Sequence, residues 1–69
     1  MITEEIGKIV KSRRQFLNLR QEDLSEMSGI ATKTIHLIES GSGNPSIETL
    51  EKLATVLGME LKLKIKKMR

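Results

Sequence analysis

The sequence predicts a mostly α-helical chain of four short helices, with a fifth as an alternative, followed by a C-terminal β-strand. Two observations predict the helices: apolar residues recur every three or four positions in four stretches, and glycine-containing breaks separate the last three of these stretches. A third observation predicts the strand, because apolar and charged residues alternate along MELKLKIKK, residues 59–67. We therefore expect a compact helical body with a different element at its end.

Length and composition limit the chain to one small domain. Its 69 residues include no cysteine, which excludes disulfides and cysteine-based zinc sites and fits a cytoplasmic protein. One Phe and no Trp or Tyr are present, so the core must consist of Ile, Leu, Val and Met. No apolar run approaches the ~18 residues of a membrane span, and a signal-peptide core is missing. The net charge of +3 mildly favours polyanionic partners.

The first helix is predicted from about Thr3 to Leu17. Thr3 is its expected N-cap, Glu4 and Glu5 favour its first turn, and Asn18 is its expected end. The residues that recur at helical spacing are Ile6, Ile9, Val10, Arg14 and Leu17, with Ile2 and Phe16 nearby.

Two shorter helices follow on either side of a glycine. The second runs from about Gln21 to Ser28, with Leu24 and Met27 as its buried stripe. Gly29 fits the position just after it, where a left-handed backbone favours glycine. The third helix runs from about Thr32 to Ser40, with Ile35 and Ile38 facing inward.

A loop and a capped helix complete the helical body. Gly41 ends the third helix, and the composition of SGSGNPS, residues 40–46, predicts a loop. Ser46 is the expected cap of a fourth helix from Ile47 to Leu57, which Gly58 ends. Its apolar face is predicted to contain Ile47, Leu50, Leu53, Ala54 and Leu57.

The alternating tail predicts a homodimer. A lone strand leaves its backbone groups unpaired, and the rest of the chain offers no second strand. We therefore expect two copies to pair their tails as an antiparallel ribbon about a two-fold axis. Residues 1–58 would then form the helical domain and residues 59–69 the dimerisation strand and a short basic tail. The interface residues are Met59, Leu61, Leu63 and Ile65. The alternative is a frayed basic tail.

Residues 21–40 together predict a helix-turn-helix. Leu24 packs inward, Ser25 is small where the third helix crosses the second, Gly29 makes the turn and Ile30 fills the corner. In DNA-binding proteins this motif projects its second helix into a major groove, which admits one helix.

The chain from Ile6 to Gly58 resembles the DNA-binding domain of the Xre/Cro repressor family. The similar segments occur in order and cover most of the chain: LRQEDL at 19–24, SGI at 28–30, TKTIHLIESG at 32–41 and NPSIETLEKLATVLG at 44–58. The resemblance implies a lambda-repressor-like fold and double-stranded DNA as the partner.

The resemblance also implies roles for individual residues. Gln21 matches a glutamine that contacts the DNA backbone and supports the recognition helix, and Lys33 and Thr32 match its base-reading end. Arg14 and Glu39 match positions that form an ion pair between the first and third helices. The full set of implied DNA contacts is Gln21, Thr32, Lys33, Thr34, His36, Leu37, Ser42 and Asn44.

Several positions depart from the family pattern. Arg20 and Ala31 replace the usual caps of the second and third helices, at an expected cost of about 1 kcal/mol each. Ser40 and Gly43 replace residues that are often basic. A single copy should therefore bind DNA weakly, which again favours a dimer.

The sequence thus predicts a dimeric repressor of a palindromic operator. The tail is similar to that of HipB-like antitoxins, which implies autoregulation of a toxin–antitoxin operon and a HipA-type kinase toxin as a further partner. The alternative is a protein-interaction module, toxin-neutralising or adaptor, that uses this fold without DNA. No catalytic set, cofactor motif or metal site is recognisable, and His36 has no second histidine beside it.

Overall fold

A computed structural model describes residues 2–63 and residue 66. In that part of the chain it contains four helices: α1 (Ile2–Phe16), α2 (Gln21–Ser28), α3 (Thr32–Glu39) and α4 (Ile47–Leu57). The predicted bounds of the second and fourth helices are confirmed. The third ends one residue earlier than predicted, and the first begins and ends one residue earlier. None of the described helices is long and apolar enough to cross a membrane.

The helix ends follow the turn chemistry of the sequence. Gly29 and Gly58 both have a left-handed backbone, with φ of 78° and 70°, and they end α2 and α4. Ser46 caps α4, since its hydroxyl accepts a hydrogen bond from the Thr49 backbone N–H at 3.1 Å. Asn18, which follows α1, also has a left-handed backbone, with φ of 58°.

Of two expectations about helix starts, one is wrong and one is confirmed. Thr3 lies inside α1 and does not cap it, because the helix already includes Ile2. The Arg20 side chain makes no capping hydrogen bond to α2, as expected, while the Asp23 carboxylate accepts the Arg20 backbone N–H at 2.8 Å. The same carboxylate also pairs with the Arg20 guanidinium at 3.2 Å. The backbone N–H groups of the first turn of α2 therefore receive no hydrogen bond acceptor from the Arg20 side chain, which has only donors.

The core lies where all four helices meet. Its most deeply buried side chains are Leu24, Ile35, Leu53 and Leu57, with Val10 and Ile38 beside them. Arg13 joins α1 to α4 at the edge of this core, since its Nε donates a 2.8 Å hydrogen bond to the Leu57 carbonyl. That carbonyl belongs to the last turn of α4, where a cation is favourable.

Four apolar residues expected on buried helix faces are exposed, among them Leu17 at 37%, which lies just after α1. Met27 is 60% exposed, because α2 has only two turns and Leu24 already fills its contact with the core. Ile47 is 71% exposed, because it occupies the first position of α4, well before its first buried residue. Ile9 is 50% exposed on the outer side of α1. The spacing of apolar residues predicts a helix correctly, but it does not predict which of these residues a neighbouring helix buries.

The tail leaves the helical body beside α1. The Met59 backbone N–H donates to the Ala54 carbonyl at 2.8 Å, and the Met59 side chain packs against the core. Residues 59–63 form neither helix nor strand in the single chain, and Leu61 and Leu63 are exposed. Ile65 lies outside the described residues. A strand is defined by a paired neighbour, so the predicted ribbon requires the second copy.

Candidate nucleic-acid interface

A tight turn joins α2 to α3. The Gly29 backbone N–H donates to the Ser25 carbonyl at 2.9 Å, which closes the last turn of α2. The Ser28 hydroxyl then accepts the Ile30 backbone N–H at 3.1 Å, and Ile30 packs against the core. Backbone geometry and one apolar side chain therefore fix the direction in which α3 begins.

The two faces of α3 differ sharply in exposure. Ile35 and Ile38 are buried at 0% and 3% exposure and fix the inner face. The outer face is formed by Thr32, Lys33, His36 and Leu37, all exposed. Thr34 is half-buried beside them. Helical spacing thus brings four of the predicted DNA contacts onto one accessible surface.

An ion pair holds the C-terminal end of α3. The Glu39 carboxylate accepts two hydrogen bonds from the Arg14 guanidinium, from Nε at 2.6 Å and from Nη2 at 2.9 Å. The remaining Arg14 nitrogen, Nη1, donates to the Leu19 carbonyl at 2.8 Å. The side chains are nearly enclosed, with exposures of 11% for Arg14 and 3% for Glu39. One guanidinium therefore joins α1, the following turn and α3.

Gln21 belongs to the same network. Its Nε2 donates to the Glu39 Oε1 at 3.1 Å, so the first residue of α2 also contacts the last residue of α3. Gln21 is half-buried. Its side-chain amide therefore supports α3, and a contact with DNA would have to come from its remaining polar groups.

The electrostatics of the pair favour its charged form. Burial alone would raise the pKa of the Glu39 carboxyl, but hydrogen bonds from Arg14 and Gln21 and the nearby positive charges outweigh burial and lower this pKa below its ordinary value. The hydrogen bond to Glu39 raises the pKa of Arg14. Both groups are therefore ionised at neutral pH.

A second contact between α1 and α3 involves Gly7, a residue that is not among the predicted core or site residues. A Cβ at this buried position would lie 2.3 Å from the Ile38 carbonyl oxygen and 3.1 Å from that of Glu39. Only a residue without a side chain allows α1 to approach the end of α3 so closely. A glycine in the middle of a predicted helix was the available signal.

The loop after α3 folds back towards its outer face. The Ser42 backbone N–H and the Ser40 hydroxyl both donate to the Leu37 carbonyl, each at 2.9 Å. Ser42 and Asn44 are exposed and line one shallow cleft with Thr34 and Leu37. The predicted loop contacts and the predicted helix contacts thus adjoin each other on one side of the molecule.

Comparison with known proteins identifies the same architecture. A helix-turn-helix family model matches residues 10–63. The chain is 40% identical over 58 residues to an uncharacterized HTH-type transcriptional regulator of Haemophilus influenzae, covering 84% of this chain and 58% of that protein. The chain thus matches little more than half the length of this relative.

Two archaeal proteins are also similar. An uncharacterized HTH-type transcriptional regulator of Methanothermobacter thermautotrophicus is 35% identical over 52 residues, with 75% of each chain covered. A putative HTH-type transcriptional regulatory protein of Methanococcus vannielii is 36% identical over 55 residues, which is 80% of this chain and 17% of that protein. From the family match over most of its length and these relatives, the chain belongs to the Xre-type helix-turn-helix family of DNA-binding transcriptional regulators.

Proposed function

We propose that the chain is a homodimeric repressor that binds a palindromic DNA operator, with α3 of each copy in a major groove. The exposed outer face of α3 is the observation that supports this proposal most strongly. Its inner face is fixed by Ile35 and Ile38, and its C-terminal end is fixed by the Arg14–Glu39 pair. A rigid helix with one free face is what major-groove recognition requires.

Each exposed residue has a role in this proposal. Lys33 pairs with guanine O6 and N7, and Thr32 contacts an adjacent base edge or a thymine methyl group. Thr34 contacts phosphate from its half-buried position, beside a loop in which Ser42 and Asn44 contact the same strand. His36 and Leu37 extend the surface towards neighbouring bases. Gln21 acts mainly through Glu39.

The proposed dimer follows from the tail. Met59, Leu61, Leu63 and Ile65 would form the apolar face of a two-stranded ribbon, and the exposure of Leu61 and Leu63 in the single chain is consistent with a missing partner. A two-fold axis then places the two α3 helices in half-sites roughly 34 Å apart or a multiple of that distance.

The narrower role of a HipB-like antitoxin remains a prediction from the tail sequence. Its direct test is co-expression with a HipA-type kinase encoded beside this chain. Stable co-purification of the two proteins is the expected result for an antitoxin. A regulator that binds DNA but leaves such a kinase free and active would contradict that role.

Replacing Lys33 with alanine should remove the preference for one base pair in each half-site. It should lower the affinity for DNA in general much less. We expect a loss of about 1–3 kcal/mol of discrimination at one base pair in each half-site, with little change on DNA that already has a substituted base there. Fluorescence anisotropy with the preferred duplex and with single-base variants measures both quantities at fixed salt.

Lys52→Ala is the matched control. Lys52 is an exposed lysine on α4, so its removal changes the net charge by the same amount without altering α3. This variant should retain the full preference between duplexes. If Lys33→Ala weakened binding to all duplexes by one common factor, Lys33 would be a phosphate contact and the proposed base-reading role would be wrong.

A further inference from the structure

The outer side of α1 has an apolar stripe that DNA binding does not explain. Ile2, Ile9 and Phe16 are 72%, 50% and 72% exposed. They are spaced seven residues apart, which places them on one face of a helix of 3.6 residues per turn. We call these three residues the α1 stripe. Large apolar side chains that form a continuous exposed surface commonly mark an interaction site.

The α1 stripe lies opposite the side of α1 that contacts α3. Gly7 and Arg14 make that contact, and each precedes a stripe residue by two positions, or about 200° around the helix. A partner on the α1 stripe would therefore leave the outer face of α3 accessible to DNA.

The tail begins beside the α1 stripe. Met59 shares a shallow groove with Ile9 and Phe16, and Leu61 shares the adjoining groove with Ile9. Glu60 and Lys62 form an ion pair at 3.5 Å. In an extended segment, residues two positions apart point to the same side, so this pair leaves Leu61 and Leu63 on the other side. Met59 and Leu61 thus lie next to Ile9 of the α1 stripe, and Leu63 is exposed beyond them.

A two-stranded ribbon needs a surface to pack on. An isolated pair of strands is only marginally stable in water, and packing against a helix supplies the missing apolar burial. We propose that the inter-chain ribbon packs its apolar side across the α1 stripes of both copies, so that the α1 stripe is part of the dimer interface. This inference rests on the proposed homodimer and names the helix surface that stabilises it.

The test compares the dissociation constants of dimers by sedimentation equilibrium. Ile9→Glu and Phe16→Glu should each raise the constant by at least about 100-fold, because a substitution enters a two-fold interface twice. Met27→Glu is the matched control, since Met27 is an equally exposed apolar residue on α2, and it should leave the constant unchanged. Circular dichroism of each variant should show the helix content of the wild type.

The results separate this inference from the homodimer itself. Leu63→Glu should dissociate the dimer by disrupting the ribbon. If Leu63→Glu is monomeric while both stripe variants dimerise like the wild type, the homodimer stands and the role of the α1 stripe is wrong. If the wild-type chain is a monomer at tens of micromolar, both the proposed homodimer and this inference are wrong.

Discussion

Arg14→Ala is expected to lower the free energy of unfolding by about 3 kcal/mol, since removing one member of a buried ion pair leaves the other charge unpaired. The Glu39 side chain is only 3% exposed and would keep just its hydrogen bond from Gln21. For a domain of this size, the loss corresponds to a decrease of about 12–24 °C in melting temperature. Thermal and urea denaturation monitored by circular dichroism measure both values.

Two further variants separate the ion pair from general effects of removing arginine. Arg20→Ala removes an arginine whose pair with Asp23 is exposed and screened by solvent, so it should change the stability far less than Arg14→Ala. Arg14→Met combined with Glu39→Leu removes both charges and should recover much of the loss. If Arg14→Ala and Arg20→Ala were equally stable, the buried network would not stabilise the fold.

The same pair makes a specific contribution to pH dependence. Because the pKa of Glu39 is lower in the folded chain than its ordinary value of 4.5, its contribution is fully present above about that pH. The contribution is lost as the pH falls through the lower pKa of the folded state. The stability difference between wild type and Glu39→Gln should therefore shrink as the pH falls below about 4.5. A difference that stays constant down to pH 2 would contradict the assigned cause.

Gly7→Ala is the second substitution with a large expected effect. In a helix interior this change normally stabilises by up to about 1 kcal/mol. Here the added Cβ would lie 2.3 Å from the Ile38 carbonyl oxygen, so α1 and the end of α3 must separate. We expect a net destabilisation of about 2 kcal/mol and a loss of DNA affinity in the folded fraction. Urea denaturation and DNA titration test the two effects.

Ser12→Ala is the control for helix propensity, since Ser12 is exposed on the same helix. It should be neutral or stabilising by a few tenths of a kcal/mol. A Gly7→Ala variant as stable as Ser12→Ala, with wild-type DNA affinity, would show that the close contact of α1 with α3 has no energetic importance.

Much of the fold follows from local chemistry that the sequence displays directly. Gly29 and Gly58 end α2 and α4 in left-handed conformations, and Ser46 caps α4, as predicted. These signals depend on residues within one turn, so a single sequence contains them. The start of α1 was predicted less well because Thr3 offered a cap that the helix does not use.

The features that the sequence did not reveal depend on contacts between distant elements. Met27 and Ile47 match the apolar pattern, yet both are exposed because no neighbouring helix reaches them. The close approach at Gly7 becomes visible only when the position of α3 is known.

The candidate site depends on both kinds of information. Helical spacing correctly separated the inner residues Ile35 and Ile38 from the exposed residues of α3. The functional roles of Lys33 and the other outward residues, and the pairing of the tails, are proposals that require DNA and a second copy.

Selection of DNA by the purified protein from a random pool is the decisive measurement for sequence-specific recognition. The proposed dimer predicts enrichment of an inverted repeat whose half-site centres lie roughly 34 Å apart or a multiple of that distance. Affinity for the enriched DNA should also fall steeply with increasing salt. A pool that shows no enriched sequence after repeated selection at low salt, with the chain still folded, would contradict sequence-specific recognition by α3.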